Sequence, residues 1–445
     1  MVNRRQVLQS CAAMGAWAVT RHGSAQSVDP RTLPLVTATT PLFTYLGSFQ
    51  GPSDGSFQYG GGAVSVAGSS PGVLGNLYCS GIQQDNNCAG AMTIPAPTGT
   101  GGTYVGTETA TTIVKGTTSV PITLGQSNGG WPVVTGTLVY NNRLFVTSGV
   151  NYDTGGNIQV CMVVGNPNFT GFGAGCPVNS PSGANMECFS CGLGFIPPIW
   201  QPYLNNHTAF FCGGRGGLSA VWYQTCGFGF STFDPATVVS GSPVSISEWL
   251  QYPFVTSTNG NADDVSVLWG YSPTTQSNWG TNVGDNYIAL YDGPMGTCFI
   301  PPGSRSLLFV NCHAFGPAGS PFNSTSCNPN ASGNNDQPVS PDTQPYRRVQ
   351  ITAYDLAAVI ANKTSTGNPS APRPYAFWTL PNWRTLLGNC PINEGYGACA
   401  FTGFDTQNNL LYLSAGFGGT NGTIYVFQVG SAGPVPNPPA SFTVS

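Results

Sequence analysis

An all-β fold, a β-propeller of five blades with long inserted loops, is the architecture this sequence predicts, and three observations lead to it. Apolar residues come in short runs rich in Val, Ile, Tyr, Phe and Thr, separated by Gly, Asn and Pro, with almost no helical spacing. One phrase recurs: "NLYCSG" (76–81), "RLFVTSG" (143–149), "AFFCGGRGG" (209–217), "SLLFVNCHAFG" (306–316) and "LLYLSAGFGG" (410–419). A second phrase follows three of these copies, as "GFSTFDPATVV" (229–239), "QITAYDLAAVI" (350–360) and "GTIYVFQV" (422–429). Five copies of a unit that cannot bury both faces of its own sheet point to blades around an axis. A β-sandwich or another repeat all-β fold, with the hairpins coincidental, is the alternative.

In chain order, residues 1–26 read as an export signal. Arg4 and Arg5 precede an apolar stretch from Val7 to Val19 and small residues ending at Ala25. The paired arginines resemble a twin-arginine signal, although Asn3 and Val7 depart from that pattern, and ordinary Sec export is the other route. Residues 27–44 read as a linker, 45–430 as the propeller and 431–445, with "GPVPNPPASF", as a Pro-rich tail. Taking one aromatic per repeat as an anchor gives Tyr78, Phe145, Phe211, Phe309 and Tyr412, with gaps of 67, 66, 98 and 103 residues. These gaps exceed an ordinary blade, so loops are inserted. Each anchor is expected on an inner strand of a different sheet, with Gly and Ser closing the strand where blades crowd the axis. The one helical pattern is "YDLAAVIANK" at 354–363.

Composition narrows the function. Charged residues are 7% of the 445, against roughly 25% in ordinary soluble proteins, and the net charge is −4. No basic footprint for nucleic acid exists. No run reaches the length needed to span a bilayer. Beyond the signal there are 13 cysteines, expected as disulfides in an extracellular or periplasmic protein. Short spacing favours Cys79–Cys88 and Cys390–Cys399, with Cys298–Cys312 as a third pair, and at least four bridges in all.

The segments "SFQYGGGAVSV" (56–66), "PYRRVQITAYDLAAV" (345–359), "RPYAFWTL" (373–380) and "GFDTQNNLLYLSAG" (403–416) resemble those of uncharacterised exported bacterial proteins of propeller type. The resemblance implies a fold. It implies no activity, because that group has no assigned catalytic residues.

Few residues remain for chemistry. There is no G-x-S-x-G elbow, P-loop or dinucleotide fingerprint, and the histidines beyond the signal are His207 and His313. Just after the recurring phrase, four repeats place polar groups: Gln84, Asn151 with Asp153, Arg215, and His313. Equivalent positions of successive blades lie at one end of the axis, so these residues are candidates to ring a ligand-binding mouth. Trp269 lies in an aromatic stretch that also holds Asp263 and Asp285. Carboxylates among aromatic rings are what sugar hydrolysis requires, so Asp153, Asp263 and Asp285 are weak catalytic candidates. "NYDTGGN" (151–157) has oxygen ligands at alternating positions but lacks the closing Glu of a calcium loop, so no cofactor is expected and calcium is the one metal considered. The leading expectation is an exported propeller that binds a saccharide or an extracellular protein surface without turnover. A glycan-active hydrolase or lyase and a self-associating envelope or filament subunit are the alternatives, and the question of catalysis stays open.

Overall fold

The computed structural model describes residues 28–37, 42–52, 62–83, 86–114, 131–151, 161–178, 192–213, 224–225, 229–251, 255–256, 267–269, 288–289, 293–315, 346–365, 372–380, 400–415 and 422–430. Residues 1–26 and 431–445, read from the sequence as an export signal and a Pro-rich tail, lie outside them.

Strand β1 (Phe43–Gln50) comes first. Blade one follows as β2 (Gly62–Ala67), β3 (Asn76–Gln83), β4 (Asn86–Thr93) and β5 (Thr112–Val114). Blade two is β6 (Trp131–Tyr140), β7 (Arg143–Asn151), β8 (Cys161–Gly165) and β9 (Cys176–Pro177). Blade three is β10 (Gly192–Phe195), β11 (Ala209–Gly213), β13 (Gly229–Phe233) and β14 (Ser247–Gln251), with β12 (Gln224–Thr225) paired to β15 (Val255–Thr256). A separate pair, β16 (Val267–Trp269) and β17 (Ile288–Ala289), precedes blade four. That blade is β18 (Gly293–Phe299), β19 (Ser306–Phe315), β20 (Tyr346–Asp355), helix α1 (Leu356–Ser365) and β21 (Ala376–Thr379). Blade five is β22 (Ala400–Asp405), β23 (Leu410–Ala415) and β24 (Thr423–Val429), and its fourth, outer strand is β1. The innermost strands β2, β6, β10, β18 and β22 pack on one another in a ring. The protein is a five-bladed β-propeller.

The five anchors fall in five different sheets, each on the strand second from the axis. The expected inner strands are thus the second ones, and the innermost position is taken by the strand preceding each. Apolar, β-branched strands need a partner on both faces, and the second position supplies one from each neighbouring blade. The innermost position has no such room. Gly403 on β22 shows why: a Cβ there would meet Val64 Cγ1 at 2.7 Å and the Val64 carbonyl at 3.0 Å. The second phrase marks the third strand of its blade in all three copies.

The core is five clusters, one at each interface between blades. Side chains alternate along each second strand, so neighbouring residues feed different interfaces. Tyr78, Phe145 and Tyr412 face the following blade, whereas Phe211 and Phe309 face the preceding one. The equivalents of the first three are therefore Phe210 and Leu308, since a shift of one residue exchanges faces.

Two hairpins explain the resemblance between "LVYNNRLFVTSG" and "FDTQNNLLYLSAG". Each joins an innermost strand to its second strand. Asn141 and Asn142, with φ of 47° and 56°, make the two-residue turn between β6 and β7, and Asn409 at 54° ends the turn between β22 and β23. Helix α1 begins where Asp355 Oδ1 accepts from Ala357 N–H at 3.0 Å, and it buries Leu356, Val359 and Ile360.

Residues 28–37, expected within a linker, are held against blade four. Val36 N–H donates to Ser306 Oγ at 2.9 Å, Tyr375 O–H donates to the Val36 carbonyl at 2.7 Å, and Arg305 N–H donates to the Pro34 carbonyl at 3.1 Å. The apolar positions Leu33 and Val36 are buried, which a loose spacer would not be.

Glu108 organises the loop between β4 and β5. Burial alone would raise its pKa, but hydrogen bonds from the Thr98 hydroxyl and from the Val105 and Thr98 N–H groups lower it to about 2, against an ordinary 4.5. A depressed carboxylate contributes its full stability above its unfolded pKa and loses it as pH falls through the folded value. Glu108→Gln is accordingly expected to remove part of the acid-induced drop in Tm between about pH 4.5 and 2. Parallel Tm–pH profiles for variant and wild type would contradict this.

Candidate functional site

In every blade the first residues of the innermost strand lie beside the last residues of the second: Gly62 pairs with Ser80, Trp131 with Asn151, Gly192 with Cys212, Gly293 with Cys312 and Ala400 with Ala415. All five second strands therefore end at one end of the propeller, here termed the mouth end. The other end is the hairpin end.

Near the hairpin end of the axis, apolar side chains together with Ser65, Thr297 and Thr406 line a small cavity. Val66, Leu138, Phe195, Phe299 and Phe404, one from each innermost strand, line a cavity of about 20 Å³. Their partners Leu77, Phe145, Ala209, Leu308 and Leu411 occupy the matching level of the second strands. Phe299 and Phe404 stack at 4.5 Å. The cavity has room for about one water and none for a sugar ring.

Hydroxyls tie the innermost strands together. Thr137 O–H donates to the Tyr78 carbonyl at 3.1 Å, so Ser65 O–H donates to Thr137 Oγ1 at 2.8 Å. Thr402 O–H donates to the Thr297 carbonyl at 3.3 Å. These groups are satisfied within the protein. A lone Ser or Thr in a strand carries no sequence signal for such a tie.

The predicted site residues divide as follows. Asn151 is the last residue of β7 and reaches the mouth end. His313 lies near the end of β19, directly opposite Arg348 on β20. Arg348 was not singled out in the sequence, because "YRRVQITAYD" reads as strand pattern alone. Trp269 ends β16, opposite Ile288, and β17 packs against β19. Gln84, Asp153, Arg215, Asp263 and Asp285 lie outside the described residues, as does the calcium candidate beyond Asn151. Gln83, Asn151 and Gly213, the described residues preceding three of them, stand at the mouth end.

Three of the described carboxylates sit away from that end. Asp234, Asp355 and Asp405 follow or close strands at the hairpin end. Asp405 is fully engaged: Ser69 O–H at 2.9 Å, Gln407 N–H at 2.8 Å and Asn408 Nδ2 at 2.9 Å all donate to it. Glu248 belongs to the outermost strand of blade three. His207 precedes β11 at the hairpin end, its Nδ1 2.9 Å from Thr232 Oγ1, with burial holding its pKa below the usual value. It is a packing residue there, which leaves His313 as the mouth-end histidine. Among the described residues no group of three or more His, Cys, Asp or Glu could hold a metal, and no helix is long and apolar enough to cross a membrane.

Two of the three expected cysteine pairs fall on described strands. Cys79 is a buried free thiol; it lies opposite Gly90, while Cys88 lies opposite Gly81, so the two are diagonal rather than direct partners. Cys298 is opposite Phe309 and Cys312 opposite Gly293, which puts them about 10 Å apart along the pair, beyond a disulfide's reach. Spacing counts loop length and carries no register, and register is what separates Cys298 from Cys312. Cys390 and Cys399 lie outside the described residues.

No protein-family model matches the chain, and no curated protein matches its sequence. Solved structures similar to it include an arabinanase of Bacillus subtilis, at 10% identity and a TM-score of 0.36, covering 86% of this chain and 96% of that one. A GH43 endo-arabinanase of Bacillus licheniformis is similar at 9% identity and 0.31, covering 84% and 95%. An α-L-arabinofuranosidase of Fusarium graminearum is similar at 8% and 0.34, covering 87% and 98%. These likenesses give no residue of this chain a role.

Proposed function

We propose that the mouth end binds a neutral or weakly acidic saccharide, on an exported protein, without turnover. One observation carries this reading: Asn151 and His313 lie on second strands that run to the mouth end, where repetition would also bring Gln84, Asp153 and Arg215, in a chain that is 7% charged. In this reading Arg215 and His313 hydrogen-bond sugar hydroxyls or a uronate carboxylate. Gln84, Asn151 and Asp153 complete the rim, and Trp269 offers a ring face for stacking. Binding is preferred to hydrolysis on composition, because a chain with 17 acids and three histidines in 445 residues offers few groups for acid–base work.

A glycan array, with arabinan among the probes, followed by calorimetric titration, tests the proposal. Arg215→Ala and His313→Ala are expected to weaken binding by about 1–3 kcal/mol each, the cost of unpaired partner groups, with Tm nearly unchanged. No binding of any glycan by the wild type would refute the saccharide, and unfolding of both variants would make these residues structural ties. Release of reducing ends by the wild type, lost in Asp153→Asn or Asp285→Asn, would replace the binder with a hydrolase.

A further inference from the structure

Blades three and four meet at a pair of cysteines that sequence spacing did not connect. Cys212 lies on β11 and Cys298 on β18, and both are completely buried. Along β11, Phe210 and Cys212 face blade four while Ala209 and Phe211 face blade two, so the alternation aims Cys212 across the interface. Cys298 answers from the other side: its backbone N–H donates to Cys212 Sγ at 3.1 Å, and the structure holds the two as thiols rather than as a disulfide. The other neighbouring cysteines differ. Cys161 and Cys176 are on adjacent strands, but Cys161 packs between blades one and two and Cys176 between blades two and three. They point to opposite faces of one sheet and cannot be joined without turning a strand over.

We propose that Cys212 and Cys298 form a disulfide in the mature protein, a covalent staple between blades three and four that is closed as those blades come together. The reaction is thiol–disulfide exchange with a low-molecular-weight disulfide. One cysteine thiolate attacks a sulfur of the reagent and releases one thiol. The second cysteine, having lost its proton, attacks the resulting mixed disulfide and releases the other thiol. The two cysteines are oxidised by two electrons and the reagent is reduced to two thiols. The sulfurs are sealed in the folded core, so the exchange precedes the final docking of the two blades. The bond closes a long loop, since the residues are 86 apart, and it constrains the unfolded chain accordingly.

The test uses the full chain produced by secretion, alkylated in denaturant without reduction, digested and mass-mapped. The expected result is a cross-linked peptide pair carrying Cys212 and Cys298. Alkylation of both cysteines, or Cys298 joined to Cys312 or any other cysteine, would overturn the staple. The double variant Cys212→Ala/Cys298→Ala separates the bond from the packing. Its Tm deficit relative to wild type should be about 5 °C larger without reductant than in wild type reduced before unfolding. An equal deficit under both conditions would also overturn the proposal.

Discussion

A chain begun at Gly51 is expected to lose the cooperative fold altogether, whereas one begun at Ser27 should keep it. Strand β1 is the outer strand of blade five, paired with β24 from Phe43 opposite Val429 to Gln50 opposite Thr423. The same strand holds blade one: Gln50 N–H donates to the Glu108 carbonyl at 2.8 Å, Ala110 N–H to the Gln50 carbonyl at 2.8 Å, and Tyr104 N–H to the Leu46 carbonyl at 2.7 Å. Phe49 is completely buried, with its ring 5.4 Å from that of Tyr104. Without β1 blade five lacks its outer strand, β24 becomes an unprotected edge, and the apolar faces of two blades meet water. One buried Phe contributes roughly 1.5–3 kcal/mol, and a whole strand's share is of the order of the 5–15 kcal/mol that stabilises a typical domain. Near-ultraviolet circular dichroism and size-exclusion chromatography read the outcome: a monomeric truncated chain with a wild-type melt would show that β1 contributes little. A single change probes the same joint. Gly47, at φ +114°, lies at the bulge in β1, and any Cβ there would collide with the Tyr104 carbonyl, so Gly47→Val should destabilise strongly while leaving the pairing sequence intact.

Phe211→Ala is the second large effect, expected at about 3–5 kcal/mol of destabilisation. Phe211 is completely buried in the cluster between blades two and three, with its ring centroid 4.3 Å from that of Phe233. Both flanking strands are hydrogen-bonded to β11, so the sheet cannot collapse into the space left behind. The denaturant midpoint at unchanged m-value measures the loss. Val239→Ala, at a position 64% exposed, serves as the control and should stay within about 0.5 kcal/mol of wild type. A loss below about 1 kcal/mol for Phe211→Ala would mean that the interface repacks freely.

The candidate site was legible only in outline. Its proposed location at one end of the axis rests on repetition, because corresponding positions of repeated units share an end whatever the details. Its composition did not follow. That Arg348 lies opposite His313 was hidden in a strand pattern, since this pairing is set by the β19–β20 register and the two residues are far apart in sequence. The apolar lining near the hairpin end was equally invisible: Val66, Leu138, Phe195, Phe299 and Phe404 are ordinary strand residues until five strands bring them to one level.

The sequence alone determined the local units. Alternating β-formers, Asn-bearing hairpin turns and five copies of one phrase specify five second strands, because turn chemistry and strand propensity act within a few residues. It also determined α1, where Asp355 caps a short apolar-faced helix. Only the tertiary structure decided which strand lies at the axis, that β1 completes the last blade, that Phe211 and Phe309 face backwards, and that Cys298 meets Cys212 rather than Cys312. The physical reason is the same in each case. A strand's pattern records that one face will be buried, with a period of two, but it does not record against what. That choice is made by the packing of distant segments against each other, and it is settled for the whole ring at once.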